Sequence, residues 1–263
     1  MRHRHSLLAA LTLSLAVIPS VAFAQAAAPK STAPAKAPIK NIVLIHGAWA
    51  DGSGFEAVYK ILVRDGFTVS IVSNSNESLA EDVAATRRVL ARQDGPVILV
   101  GHSYGGVIIT EAGTDPKVKG LVYLAAFAPD TGESAFGLLP ADGPQPPIEP
   151  TPDGMAYLNR GAYIAAFAAD LPKDKAAFMA DSQVPISVPA AGMAKITDAA
   201  WHTRPSWYLV STQDQIIPPA AQRAMAARAK STTADVAGSH VAFISHPEAA
   251  AALIETAARA VAK

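Results

Sequence analysis

The run Gly101-His102-Ser103-Tyr104-Gly105 has the spacing G-x-S-x-G. A serine hydroxyl attacks a carbonyl only when it is held exposed beside a base and its developing negative charge is met. The spacing suits that task. A nucleophile at the tip of a strand-to-helix turn sits in a tight backbone, and small residues two before and two after keep the turn free of clashes. The helix N-terminus beneath it favours negative charge. The context fits as well, with the apolar run Pro96 to Val100 directly before the motif and a helical pattern, Val107 to Ala112, directly after Gly105-Gly106. The competing reading is a glycine-rich turn with an ordinary serine.

A second motif, His46-Gly47-Ala48-Trp49, follows the first apolar strand pattern. Acyl transfer requires backbone N–H groups aimed at the oxyanion, each worth roughly 3 kcal/mol of barrier. Beside such an elbow, the residue after the nucleophile, Tyr104, supplies one donor. The early loop supplies the other, Ala48, with Trp49 next in line. Gly47 permits the close backbone approach.

These motifs require a scaffold, and the chain alternates strand and helix patterns. Asn41 to Ile45, Phe67 to Val72, Pro96 to Val100, Val118 to Ala126, Trp207 to Ser211 and Thr233 to Val236 read as strands. Helical patterns cover Gly54 to Arg64, Ser78 to Arg92, Val107 to Ala112 and Pro247 to Val261, with Ser78 and Glu81 spaced as a capping box. The alternation implies an α/β fold: a mostly parallel, doubly wound sheet covered on both faces. Between about residues 130 and 205 the rhythm breaks. The Pro-rich stretch Pro140 to Pro152 excludes regular helix or strand. Helices are expected at Met155 to Ala169 and Lys173 to Asp181, and a second Pro/Gly-rich piece spans Pro185 to Gly192. This reads as a helical cap inserted between two sheet strands. Its Phe136, Leu138, Leu139, Tyr157, Tyr163, Phe167 and Phe178 either line an apolar pocket or form the cap's own small core. Trp49, Phe136, Leu139, Tyr163 and Phe167 are the pocket candidates.

Taken together, His46-Gly-Ala-Trp, Gly101-His-Ser-Tyr-Gly-Gly, Val122-Tyr-Leu-Ala-Ala, Ser211-Thr-Gln-Asp214-Gln-Ile-Ile-Pro218 and Gly238-Ser-His240 resemble the small cofactor-free branch of the α/β-hydrolase superfamily. That branch contains plant methyl-ester esterases, bacterial carboxylesterases and hydroxynitrile lyases. The resemblance runs from about Lys40 to the C-terminus. It implies esterase-type chemistry, no cofactor, and a triad in the order Ser, Asp, His; the cap aromatics point to a small or aromatic ester. Of seven histidines, His3 and His5 lie in the N-terminal leader, His46 and His102 lie inside the motifs, and His202 ends the cap. His240, between the last strand and last helix, matches the family's base, while His246 reads as a cap of that helix. Asp214 matches the family's acid. The rival is Asp130, in a Pro-Asp-Thr-Gly turn at the cap hinge.

Lyases of this branch carry Thr and Lys where this chain has Gly47 and Val241, which favours hydrolysis. The same triad also serves acyl transfer and amide or lactone hydrolysis, and some members of the fold only bind ligands. Net charge is zero and there is no cysteine. That gives no electrostatic case for nucleic acid, and no disulfide, thiolate metal site or cysteine nucleophile. No His/carboxylate spacing suggests a metal. Nothing in the pattern specifies an oligomeric state. At the N-terminus, basic residues 1–5, the apolar run Leu7 to Ile18 and Ala22-Phe23-Ala24 have the form of a cleaved signal peptide, residues 1–24. An Ala/Pro/Lys linker over 25–39 and a folded domain over 40–263 follow. The expectation is export to periplasm or medium, with no membrane anchor after cleavage.

Overall fold

The computed structural model describes residues 37–141 and 145–262. The expected signal peptide, most of the linker and the middle of the first Pro-rich stretch lie outside the described residues. Six strands form the main sheet: β1 (Asn41–Ile45), β2 (Thr68–Val72), β3 (Val97–His102), β4 (Val118–Leu124), β8 (Ser206–Ser211) and β9 (Thr232–Val236), in the order β2-β1-β3-β4-β8-β9. Every neighbouring pair is parallel. The central strands β1 and β3 have no exposed residue, as a sheet covered on both faces requires, whereas the edge strands β2 and β9 are partly exposed.

Helices α1 (Glu56–Arg64) and α8 (Pro247–Ala260) pack together, as do α2 (Leu79–Ala91) and α3 (Gly105–Ala112), while α6 (Pro219–Arg228) packs on β8. In α8 the buried set Ala250, Ala251, Leu253, Ile254, Ala257 and Ala258 repeats at helical spacing. Small alanines let this helix lie close to the strands. Ser78 caps α2 by accepting the Glu81 N–H at 3.2 Å. Ile39, placed in the linker by composition, is buried and donates its N–H to the Ala258 carbonyl at 3.0 Å. The packed chain therefore begins ahead of Lys40.

Between β4 and β8 the cap holds more than helices. Strands β5 (Ile148–Pro150), β6 (Met155–Leu158) and β7 (Ile186–Ser187) form a small antiparallel sheet. The helix expected over Met155 to Ala169 is therefore strand first. Ala156 and Leu158 point inward and Tyr157 outward, a period of two that pairing with both neighbours selects. Helix appears only after Asn159, whose side chain caps α4 (Arg160–Ala162), followed by a wide π-type turn over Tyr163–Phe167. The proline-rich stretch also yields a strand after all. Pro150 is tolerated because β5 is an edge. Helix α5 (Lys173–Asp181) forms as expected.

Two features of this packing are open to measurement. A β-carbon on Gly106 would collide with the Phe127 carbonyl oxygen and sit 2.8 Å from the Ala126 β-carbon. Gly106→Ala is expected to lower unfolding stability by about 1–3 kcal/mol or more, read from urea titration; an unchanged midpoint would contradict this packing. Asp82, in the first turn of α2, is fully buried and accepts from the Tyr104 hydroxyl (3.0 Å) and the Asn76 N–H (3.1 Å). Burial pushes its carboxyl up to about 6. The folded chain keeps that proton where the unfolded chain, near ~3.9, has lost it. The contribution of Asp82 to stability should therefore fall as pH rises from about 4 to 6 and level off above. Asp82→Asn removes that slope, so the variant should gain up to about 3 kcal/mol on wild type between pH 4 and pH 7. A constant difference across that range would contradict the assignment.

Candidate active site

The loops after β1, β3, β8 and β9 all leave the same edge of the parallel sheet, at the point where strand order reverses between β1 and β3. Those loops carry the residues singled out by sequence. Ser103 lies between β3 and α3 with φ of 53°, a conformation uncommon for a residue with a side chain. The turn is possible because a β-carbon at Gly101 would meet the Gly105 carbonyl oxygen at 2.5 Å, and one at Gly105 would meet the Ile45 carbonyl oxygen at 2.5 Å. The Ser103 carbonyl accepts the N–H groups of Gly106 (2.9 Å) and Phe127 (3.1 Å), which hold the strained residue from beyond the helix start.

The loop after β1 lies against this turn. A β-carbon at Gly47 would stand 2.6 Å from the Ser103 β-carbon and 3.2 Å from the Tyr104 nitrogen. Trp49, the second-choice donor, is spoken for: its N–H donates to the Val184 carbonyl at 2.8 Å. Among the described residues the N–H groups of Ala48 and Tyr104 have no protein acceptor. Two free backbone donors thus flank Ser103.

His240 Nε2 lies 2.8 Å from Ser103 Oγ, and Nδ1 lies 2.7 Å from Asp214 Oδ2. In the neutral imidazole, Nδ1–H donates to the carboxylate and Nε2 accepts from the serine hydroxyl. All three side chains are buried. Asp214 is fixed at every lone pair: Oδ1 accepts from the N–H groups of Ile216 (2.7 Å) and Ile217 (3.0 Å), and Oδ2 accepts also from Gln222 Nε2 (2.8 Å). Gln222 was not foreseen. It is a buried polar residue of α6 whose Oε1 also takes the Ser211 N–H at 3.1 Å. Nothing local in the sequence marks it.

The other histidines are engaged elsewhere. His46 Nδ1 donates to the Gly47 carbonyl at 3.0 Å, and burial lowers its pKa. Burial holds His102 neutral, and its Nε2 donates to the His240 carbonyl at 3.0 Å. His202 Nε2 pairs with Asp130 Oδ1 at 2.8 Å on the surface, so the rival acid faces a different imidazole. His246 stands at the N-cap position of α8 but its side chain makes no capping hydrogen bond; its ring contacts Ser245 Oγ at 2.9 Å instead. Among the described residues no group of three or more histidines and carboxylates is arranged to hold a metal ion.

The pocket candidates do not all share one cavity. Trp49 and Tyr163 line one pocket with Phe178, Phe243 and Ile244, whereas Phe136 and Leu139 line another. Phe167 lies on neither; its ring packs 4.9 Å from the His240 ring. Trp49 joins the set by stacking on Phe136 (6.5 Å) and meeting Phe167 edge-on (6.3 Å). The indole N–H reaches the Ala156 carbonyl at 3.0 Å, and the Trp49 carbonyl accepts from the Tyr163 hydroxyl at 2.9 Å. Of these aromatics Phe167 packs on the His240 ring, and Ser103 itself is 3% exposed.

Residues 42–253 match the model of the alpha/beta hydrolase family. A carbendazim-hydrolyzing esterase of a Nocardioides species is 35% identical over 114 residues, 38% of this chain, and the match spans about half (47%) of that esterase's length. A pyrethroid hydrolase of Sphingobium wenxiniae is 28% identical over 246 residues, covering 80% of this chain and 84% of that protein. Among solved structures, an extracellular alpha/beta-hydrolase from a Paenibacillus species superposes with a TM-score of 0.71 at 21% identity, over 83% of this chain and 99% of that one. With the family model spanning most of the chain and the parallel sheet presenting the expected loops at one edge, this chain belongs to the alpha/beta hydrolase family.

Proposed function

We propose that this protein is a serine carboxylesterase that cleaves small or aromatic carboxylic esters through an acyl-enzyme on Ser103. The observation that carries the reading is the closed chain Ser103–His240–Asp214, at 2.8 and 2.7 Å, beside two unoccupied backbone donors. His240 takes the Ser103 proton as Oγ attacks the ester carbonyl. The N–H groups of Ala48 and Tyr104 receive the oxyanion, and Asp214 stabilises the imidazolium. The alcohol leaves with the proton from His240. Water, deprotonated by the same base, then attacks the acyl-enzyme and releases the acid. The names of the relatives, an esterase and a pyrethroid hydrolase, support the same chemistry. Hydrolysis rather than lyase chemistry is supported by Gly47, where a side chain would meet the Ser103 β-carbon. The aromatic cluster of Trp49, Phe136 and Phe167, which meets the His240 ring through Phe167, favours apolar or aryl groups.

The proposal extends to location. The basic start, apolar run and Ala22-Phe23-Ala24 support export with cleavage after Ala24. Among the described residues no helix is long and apolar enough to cross a membrane. The extracellular Paenibacillus relative is consistent with this reading.

The test uses p-nitrophenyl acetate, butyrate and octanoate. Wild type should turn these over, and Ser103→Ala should lose nearly all of it. Asp214→Asn should lose about 10⁴ in kcat, because it favours the wrong imidazole tautomer. Equal turnover by wild type and Ser103→Ala would overturn the reading.

A further inference from the structure

The base loop is held from the cap by one carboxylate. Asp170 lies in the cap between the turn ending at Phe167 and α5. Its Oδ2 accepts the Ser239 N–H at 3.0 Å and the Ser245 hydroxyl at 2.6 Å, and its Oδ1 accepts the Ser239 hydroxyl at 2.5 Å. Ser239 immediately precedes His240, and Ser245 ends the short helix α7 (Ala242–Ser245) that follows it. One side chain therefore clips both ends of the segment that carries the imidazole. The Phe167 carbonyl, 2.9 Å from Ser239 Oγ, is an alternative acceptor for the same hydroxyl proton.

A separate observation shows that the backbone is fitted to this contact. A β-carbon on Gly238 would stand 2.5 Å from Asp170 Oδ2 and 2.7 Å from the Ala242 β-carbon, so only glycine lets the loop approach the carboxylate. In this arrangement the Ser239 N–H and both serine hydroxyls donate to Asp170, which suits a charged carboxylate. Burial opposes the charge, but the hydrogen bonds from Ser239 and Ser245 outweigh it and hold this carboxyl below the ordinary range.

We infer that Asp170 is a positioning residue for the reaction: through Ser239 and Ser245 it sets the height and angle of His240 over Ser103, so that the base is competent only when the cap is seated. This rests on the reading of His240 as the base. The cap also meets the site at Phe167, whose ring packs on the His240 ring, and at Trp49, whose indole N–H donates to the Ala156 carbonyl. With the clip, displacing the segment around Asp170 also releases the loop that bears the imidazole. A misplacement of about 1 Å at a reacting group costs on the order of a hundredfold in rate.

The experiment compares wild type, Asp170→Asn, Ser239→Ala, Ser245→Ala and the Asp170→Asn/Ser239→Ala double variant. Steady-state hydrolysis of p-nitrophenyl butyrate is read beside the labelling rate by a fluorophosphonate. In that labelling Ser103 Oγ bonds to phosphorus, fluoride departs and His240 takes the proton. Wild type unreactive to both probes would count against the hydrolase reading itself, separately from the role of Asp170. With an active wild type, Asp170→Asn should lose about ten- to a hundredfold in both kcat and labelling rate, with KM within about threefold. The double variant should be little worse than Asp170→Asn alone, since both act through one clip. Wild-type rates in Asp170→Asn, or fully additive losses in the double variant, would overturn the inference. If Asp170→Asn does not fold, the Ser239→Ala and Ser245→Ala variants decide: losses in kcat and labelling with KM kept support the clip, and wild-type rates overturn it.

Discussion

The approach of two backbone segments, the turn at Ser103 and the loop after β1, constrains everything else in the site. Gly47, Gly101, Gly105 and Gly106 each face a neighbour where a β-carbon would stand 2.8 Å or less from another atom. That closeness turns Ser103 out of the sheet at positive φ and brings the Ala48 and Tyr104 N–H groups to its side. Neither segment could take a bulkier residue at these glycines without shifting its neighbour. The parallel order of the sheet completes the arrangement, because the loops after β8 and β9 leave the same edge and bring Asp214 and His240 within hydrogen-bonding distance in sequence.

Polar support radiates from this centre. Asp214 is saturated by two backbone donors, Gln222 and His240, so the carboxylate has a single orientation. His102 and Asp170 hold the His240 loop from opposite kinds of contact, one ring donating to the His240 carbonyl and one carboxylate accepting from Ser239. Asp82 braces Tyr104 through its hydroxyl and the neighbouring loop through the Asn76 N–H. Trp49 ties the loop after β1 to the cap at three points, the Val184 carbonyl, the Ala156 carbonyl and the Tyr163 hydroxyl. The cap is therefore fastened both to the loop after β1 and to the His240 loop. Pre-organisation of this kind leaves little reorganisation to be made during the reaction.

What the amino-acid sequence disclosed was local or ordered along the chain. The elbow was legible because its glycine spacing is itself the steric requirement. The central strands were legible because burial on both faces demands unbroken apolar runs. Asp214 and His240 were found through family resemblance and chain order rather than from their own surroundings. Residues that act across long separations carried no such mark: Gln222 and Asp170 read as ordinary polar residues until the fold sets them against Asp214 and Ser239. The cap misled for a related reason. Met155 to Ala169 has residues that suit a helix, but pairing with β5 and β7 decides for strand at its start, and local propensity yields to tertiary pairing. Ile39 shows the same limit at the domain's beginning, where an Ala/Pro/Lys composition hides one buried anchor.

The central claim is that Ser103 becomes covalently acylated. Its most direct test is to quench the protein with acid during turnover of p-nitrophenyl butyrate and map the added mass by peptide mass spectrometry. A butyryl increment on the peptide bearing Ser103, absent in Ser103→Ala, is the predicted result. Continued hydrolysis with no acyl increment under conditions where Asp214→Asn also shows none, or an increment on a different residue, would contradict it.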